Sequence, residues 1–122
     1  MTQATRPTGY CHCQAVSVTI AAPPPDLNGC NCTLCAKTGG LWGYFDPKNV
    51  VIVGETVGYI RRDLKTPALA THFCPRCGVV TYWSPLPGIS QGRMGVNMRL
   101  FPCEALAGLE TRHHDGRSWP LT

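Results

Sequence analysis

Apolar and polar residues alternate along much of the chain, and this period of two predicts short β-strands. The first clear case is Val16, Val18 and Ile20, which alternate with Ser17 and Thr19. The same reasoning, with turn residues between the segments, gives further strand candidates at residues 41–45, 50–53, 57–61, 69–73, 79–83 and 93–98. The pattern therefore predicts a mainly β protein.

Prolines and glycines divide these segments and leave room only for short helical turns. Three prolines at residues 23–25 stop the first strand and begin an extended connection. A single helical turn is expected after Cys35, ended by Gly39 and Gly40. A second short helix is expected at residues 101–106, with Pro102 at its first position. The tail from residue 113 onward shows no periodicity.

The composition bounds the size of the protein and of its core. The chain has 122 residues, so we expect one domain over residues 1–122. Its 13 glycines and 11 prolines favour many turns. A core of this size is only moderately stable, so a bound metal would add useful stability. We expect Trp42, Tyr44, Trp83 and Trp119 to help fill that core.

The charge pattern gives little support for a nucleic-acid partner. The formal net charge is +4, and only Arg61, Arg62 and Lys65 lie close together among the basic residues. Scattered charge favours a solvated surface, with at most a weak attraction for small anions. The polar start lacks a secretion signal, and no apolar run is long enough to span a membrane. We therefore expect a cytoplasmic protein with no membrane partner.

Eight cysteines in a reducing compartment favour metal or redox chemistry over disulfides. Seven of them form three clusters: Cys11 and Cys13; Cys30, Cys32 and Cys35; Cys74 and Cys77. Thiolates bind zinc in a tetrahedron, and the close spacing within each cluster suits ligands that must converge on one ion. The two pairs together supply four ligands and would close a structural site, whereas the trio leaves one position open, as catalytic sites do.

Several alternatives remain open at this point. Cys103 could complete the trio as a fourth thiolate; otherwise we expect it to be a small buried hydrophobe. His113 and His114 could bind metal, although histidines in a polar tail are usually exposed. His12 and His72 are expected to be surface or packed residues. The two pairs could instead be redox dithiols or simply buried thiols.

Taken together, the clusters carry a resemblance to a known family. Residues 9–16, GYCHCQAV, resemble the motif G-x-C-x-C-G-A-V; residues 30–35, CNCTLC, resemble C-x-C-x-x-C; and residues 73–78, FCPRCG, resemble F-C-x-x-C-G. Gly95-Val96-Asn97 resembles a late strand of the same family. These motifs identify the chain as resembling the glutathione-dependent formaldehyde-activating enzyme (GFA) or CENP-V family over about residues 9–119. One departure is Gln14, where the family usually has glycine.

The resemblance implies a tent-like fold of small antiparallel sheets joined at two zinc ions. It implies that Cys11, Cys13, Cys74 and Cys77 hold a structural zinc. It also implies that Cys30, Cys32 and Cys35 hold a second, labile zinc where glutathione can bind, and that these three are the catalytic residues. The implied activity is that of a carbon–sulfur lyase, joining glutathione to formaldehyde as S-(hydroxymethyl)glutathione.

The chemistry of the trio is consistent with that activity. Zinc with three thiolates is a poor Lewis acid but can accept a soft fourth ligand such as a thiol. Its main contribution would be to bring a thiol and a small aldehyde together. Arg61, Arg62, Arg93 and Arg99 are candidates to bind the carboxylates of glutathione. The alternative is a non-enzymatic zinc module that binds a protein or nucleic-acid partner. The sequence leaves the oligomeric state open.

Overall fold

The protein is built mainly from short β-strands, as a computed structural model shows for residues 6–88 and 92–118. Trp119 lies outside these described residues. The strands are β1 (Thr8–Tyr10), β2 (Ser17–Ile20), β3 (Leu27–Cys30), β4 (Trp42–Phe45), β5 (Val50–Val53), β6 (Val57–Ile60), β7 (Leu69–Phe73), β8 (Val80–Pro85), β9 (Met94–Asn97) and β10 (Thr111–His114).

Helical structure in the described residues is short. One α-helix, α1 (Thr33–Thr38), ends at Gly39, which adopts a left-handed conformation with φ 68°. The 3-10 turns are Pro47–Asn49, Met98–Leu100, Cys103–Leu106 and Gly116–Ser118. Gly39 satisfies the carbonyl of Cys35 at the end of α1, as a glycine after a helix commonly does.

The strands form two sheets. The smaller has the order β1-β2-β5 and is antiparallel throughout. The larger has the order β10-β3-β4-β9-β8-β7-β6, and its pairs are antiparallel except that β10 runs parallel to β3. In that parallel pair His114 lies opposite Cys30, so the last described strand supports the end of β3.

The core lies where the two sheets meet. Its buried apolar residues come from both sheets and from the segment after β9: Val18, Ile20, Leu27, Phe45, Met94, Val96, Met98 and Phe101. A smaller buried cluster contains Cys11, Val16 and Cys74. Two of the clustered cysteines, Cys11 and Cys74, are therefore part of the buried interior.

Most predicted elements are confirmed, with a few corrections. The strand candidates at 41–45, 50–53, 69–73 and 79–83 are present with shifts of one or two residues at some ends. The candidate at 57–61 ends before Arg61, whose side chain is buried. The helix expected at 101–106 is a 3-10 turn with Pro102 before its first residue. Three strands, β1, β3 and β10, were not predicted.

Within the described residues, no helix is both long and apolar enough to cross a bilayer.

Candidate metal centre

The first cysteine cluster joins two hairpin loops from different sheets. Cys11 and Cys13 lie in the loop between β1 and β2, and Cys74 and Cys77 lie in the loop between β7 and β8. Their four sulfur atoms lie within 4.8 Å of one another. The two pairs therefore converge, and a metal there would link the small sheet to the large one.

The spacing of these sulfurs suits a tetrahedral ion. The Cys11 and Cys13 sulfurs are 3.7 Å apart, and those of Cys13 and Cys74 are 3.6 Å apart. Four sulfurs placed about 2.3 Å from a central zinc would be separated by about 3.8 Å. The thiol cluster therefore has the donor type and the dimensions of a four-thiolate zinc site.

Backbone N–H groups surround these sulfurs. Val16 donates to the Cys11 sulfur at 3.3 Å, and Arg76 donates to the Cys74 sulfur at 3.4 Å. Backbone N–H groups of Cys13 and Val79 lower the pKa of the Cys77 thiol to about 6. Such donors stabilise thiolate over thiol, because they place partial positive charge next to the sulfur. The effect differs along the loops: the Ala15 N–H favours ionised Cys13, but burial and hydrogen bonds with neighbouring cysteine sulfurs outweigh it and raise the pKa of the Cys13 thiol to about 11.

Gln14 gives the first loop an unusual backbone. It is the one non-glycine residue of the described chain with a positive φ, at 67°. Its N–H bonds to the carbonyl of Cys11, which closes the turn between the two cysteines and β2. A left-handed conformation costs a residue with a Cβ about 1–2 kcal/mol. In the corresponding loop between β7 and β8, Gly78 occupies this region at φ 79°.

The second cluster comes from a single continuous segment. Cys30 ends β3, Cys32 is the N-cap of α1, and Cys35 lies inside α1. Their sulfur atoms also lie within 4.8 Å of one another. The Cys32 sulfur accepts an N–H from Cys35 at 3.3 Å, so this side chain caps α1 while it faces its partners.

The backbone after β10 closes the back of the second cluster. Gly116 is buried there, and a Cβ at this position would lie 2.6 Å from both the Cys30 sulfur and the Cys32 Cβ. Only a residue without a side chain fits such a gap. The second cluster thus depends on a chain segment far away in sequence.

A buried arginine contacts the second cluster from the other side. The Arg61 side chain is only 5% exposed, and its Nη1 donates to the Cys32 sulfur at 3.4 Å. Its Nε and Nη2 donate to the two Asp63 carboxylate oxygens at 2.8 and 2.9 Å. Thr33 joins the network, accepting from Arg61 at 3.1 Å and donating to Asp63. Arg61 therefore fixes a positive charge beside one thiol.

The thiols of this trio are not equivalent. Burial opposes ionisation of Cys32, but hydrogen bonds from the Cys35 N–H and from Arg61 outweigh it, so the Cys32 pKa lies below its ordinary value. Burial raises the pKa of the Cys35 thiol to about 12. The Arg61 guanidinium, aided by the Thr33 hydroxyl, holds the pKa of Asp63 well below its usual range. Without metal, Cys32 is the member of the trio whose ionised form Arg61 stabilises.

The trio opens onto a cavity of about 410 Å³, within the size range of small-molecule sites. The floor contains all three cysteines, and the walls are rich in apolar and aromatic side chains: Leu34, Trp42, Tyr44, Leu64, Ala68, Leu69 and Trp83. Trp42 and Trp83 are buried, as expected of core residues, and they also line this cavity. The cavity therefore gives a small molecule access to the second cluster.

A comparison of the sequence with family models identifies the family of this chain. A family model described as glutathione-dependent formaldehyde-activating enzyme, GFA, matches residues 6–109. The chain belongs to the GFA family. The matched region contains all seven cysteines of the two clusters and nearly all the residues that line the cavity.

Two individual proteins are similar to this GFA-family chain. A curated Halomonas elongata protein, provisionally named a glutathione-dependent formaldehyde-activating enzyme, is 35% identical over 78 residues. That match covers 57% of this chain and 50% of the relative, so the similarity spans about half the length of the relative. The crystal structure of a Rhodobacter sphaeroides protein matches with a TM-score of 0.66 at 20% identity, over 86% of this chain and 99% of that one. This structural match shows a shared fold.

The structure decides between the alternatives left open for the GFA-family trio. Cys103 is exposed and lies outside the group of three sulfurs; its own sulfur faces Glu104 at 3.5 Å. The expectation that Cys103 is buried is therefore wrong, because the 3-10 turn at Cys103–Leu106 directs it to the surface. His114 lines the cavity, but its Nε2 bonds to the Asn28 Oδ1 at 2.8 Å, and it is not in the ligand group.

The other residues named from the sequence differ in whether they line the cavity. Arg61 and Arg93 line the cavity, whereas Arg62 and Arg99 are not among its described lining residues. The guanidinium of Arg93 stacks 4.3 Å above the Tyr44 ring. His12 is exposed, and His72 stacks on Tyr82, as expected for a surface and a packed residue. The Arg61–Asp63 pair on Cys32 was missed, because no spacing rule connects residues this far apart.

Proposed function

We propose that this protein is a zinc-dependent carbon–sulfur lyase of the S-(hydroxymethyl)glutathione synthase type. It would join a thiol, glutathione or a similar molecule, to formaldehyde or a related small aldehyde. The single observation that carries the proposal is the trio of converging cysteines at the floor of a ligand-sized cavity. Membership of the GFA family supports the choice of reaction.

Two zinc ions are proposed, with different roles. Cys11, Cys13, Cys74 and Cys77 would hold the structural ion, because four thiolates complete a tetrahedron. Cys30, Cys32 and Cys35 would hold the second ion and are the proposed catalytic residues. When bound there, zinc would supply a positive centre with one position available to a soft sulfur ligand.

The protein's own residues would contribute mainly by position. By holding the thiol and the aldehyde next to each other, the cavity would convert a bimolecular encounter into an effectively unimolecular step. Arg61 offsets part of the negative charge of the three thiolates through its hydrogen bond to Cys32. In the reaction the thiol sulfur forms a bond to the aldehyde carbon, the C=O π bond breaks, and the thiol proton ends on the former carbonyl oxygen.

The proposal is tested by the rate at which isotope-labelled formaldehyde exchanges between its free and glutathione-bound forms, followed by NMR. Zinc-loaded protein should raise this rate above that of buffer alone. Cys32→Ser should remove the increase, while Cys103→Ser, a matched change outside both clusters, should keep it. An unchanged rate with a protein that demonstrably holds two zinc ions would leave the non-enzymatic zinc module as the better account.

A further inference from the structure

A second cavity, of about 680 Å³, also borders the second cluster. It shares Cys30, Cys35 and His114 with the cavity already described, so these residues lie between the two. Its other walls are the end of α1 with the glycines that follow it, the 3-10 turn after β9, and β10 with the residue after it. A molecule whose sulfur lies at the trio could therefore extend into both cavities.

The two cavities carry different charges. The first, with the aromatic wall, has two guanidinium groups and no carboxylate among its described lining residues. One of these groups, Arg61, already places two nitrogens on Asp63, and the other is Arg93. The described lining of the second cavity has one guanidinium group, Arg99, and one carboxylate, Asp115. Because an unpaired buried charge is costly, the second cavity suits a ligand group that carries one charge of each sign.

Both charged side chains of the second cavity have atoms to offer a ligand. Within residues 6–88 and 92–118, no ion pair or hydrogen bond engages the guanidinium of Arg99. Its backbone N–H donates to the Asn97 Oδ1 at 3.1 Å, which holds the turn that carries it. Asp115 accepts from the Asn31 Nδ2 at 3.2 Å through Oδ1, and no described residue donates to its Oδ2. One oxygen therefore positions the carboxylate, and the other can accept from a ligand.

Pairing between distant segments holds this carboxylate next to the trio. His114 lies opposite Cys30 in the parallel pair of β10 with β3, and the Asn31 N–H donates to the His114 carbonyl at 3.2 Å. Asp115 follows directly and is bonded to Asn31, the residue that separates the first two cysteines of the trio. Backbone pairing thus sets the place of Asp115, and a contact held in this way can orient a ligand bound at the trio.

We propose that the second cavity binds an α-amino-acid end of the thiol substrate, with the α-carboxylate at Arg99 and the α-ammonium group at Asp115. Glutathione has one such end, its γ-glutamyl residue, and a glycine end that carries a carboxylate alone. With the sulfur at the trio, the glycine carboxylate would lie in the first cavity, where Arg93 stacks on Tyr44 and the edge of its guanidinium can donate. This inference rests on the proposed function and gives the thiol an orientation at the same site.

Calorimetric titration of the zinc-loaded protein with three peptide thiols tests the inference. The first is glutathione. The second, glutaryl-cysteinylglycine, lacks only the α-ammonium group, and the third, 4-aminobutanoyl-cysteinylglycine, lacks only the α-carboxylate. Each analogue should bind about tenfold more weakly than glutathione, in line with the loss of one charge-assisted hydrogen bond. The comparison among peptides needs no variant, so misfolding cannot confuse it.

Variants locate the effect. Arg99→Gln should weaken glutathione about tenfold and leave the 4-aminobutanoyl peptide unchanged, because that peptide has no α-carboxylate to lose a partner. Asp115→Asn keeps an acceptor for Asn31 and should bring glutathione down to the affinity of the glutaryl peptide. Arg6→Gln, a matched change at an exposed residue outside both cavities, should leave all three affinities unchanged.

The outcomes separate this inference from the proposed function. Equal affinity of the three peptides for the zinc-loaded protein overturns the inference and leaves the proposed function intact. An Arg99→Gln variant that binds glutathione as tightly as the parent protein does the same. If the zinc-loaded protein binds none of the three peptides, the proposed function fails as well.

Discussion

The two cysteine clusters use the same donor atom in opposite surroundings. The first is assembled from two loops that belong to two different sheets, and its fourth sulfur closes it. The second lies within residues 30–35, has three sulfurs, and faces a cavity. Their difference teaches that one donor atom can form two unlike groups, which are distinguished by the number of sulfurs and by where the cysteines lie along the chain.

The largest predicted effect is on folding stability, which should differ between a variant of the first cluster and a variant of the second. Cys74→Ser removes a ligand from the site that links the sheets, and a structural zinc contributes on the order of 10 kcal/mol to folding. We expect this variant to be largely unfolded. Cys32→Ser should stay folded and bind one zinc instead of two, because the second cluster joins no separate sheets.

Circular dichroism melting and zinc content per chain measure both outcomes. Cys103→Ser serves as the matched control, since its exposed sulfur lies outside both groups, and it should keep two zinc ions and the parent melting temperature. A folded Cys74→Ser protein with one zinc would reverse the roles assigned to the two clusters.

A smaller effect should appear in the metal affinity of the second cluster alone. Arg61→Met removes the hydrogen bond to the Cys32 sulfur and leaves Asp63 without its guanidinium partner. Residues that hydrogen-bond to metal ligands typically change metal affinity 10–100-fold, so we expect a loss of about that size at the second site.

Chelator competition on each site checks this prediction. Lys65→Met, an exposed change in the same loop, is the control and should leave both affinities unchanged. Arg61→Lys should recover part of the loss, because it keeps the charge but not the planar fork. Equal zinc affinity in Arg61→Met and the parent protein would show that Arg61 only supports packing.

The smallest effect concerns the loop of the first cluster. Gln14→Gly relieves a left-handed conformation that glycine adopts without steric cost, although glycine also gains freedom in the unfolded chain. We expect a net stabilisation of about 1 kcal/mol, seen as a melting temperature a few degrees higher. Gln14→Ala keeps a Cβ at this φ and should give no such gain. If both variants melt alike, the backbone at this position is not strained.

The features that the sequence predicted best are those that depend on residues close together in the chain. The alternation of Val16, Val18 and Ile20 was enough for β2, since its inward positions are buried. The spacing within residues 30–35 was enough to propose the trio, because that motif brings its ligands together within a few residues. Counting ligands to four joined the two distant pairs, the resemblance implied the same grouping, and the structure confirms that their sulfurs converge.

The sequence failed where pairing between distant segments decides the structure. Asn28 and Gly29 have poor strand propensity, yet they form part of β3 because β4 and β10 hold them on either side. β10 is polar and exposed, and its strand conformation comes from its parallel partner. The contact of Arg61 with Cys32 depends on the same long-range packing. No local pattern carries this information.

The glycine behind the second cluster has a consequence for the order in which the protein matures. A nascent chain leaves the ribosome from its N-terminus, and domains form as their segments appear. All four ligands of the first cluster have been synthesised once Cys77 is made, whereas the trio gains its backing only when Gly116 has emerged. The four sulfurs of the first cluster can therefore converge during translation before the trio has gained its backing.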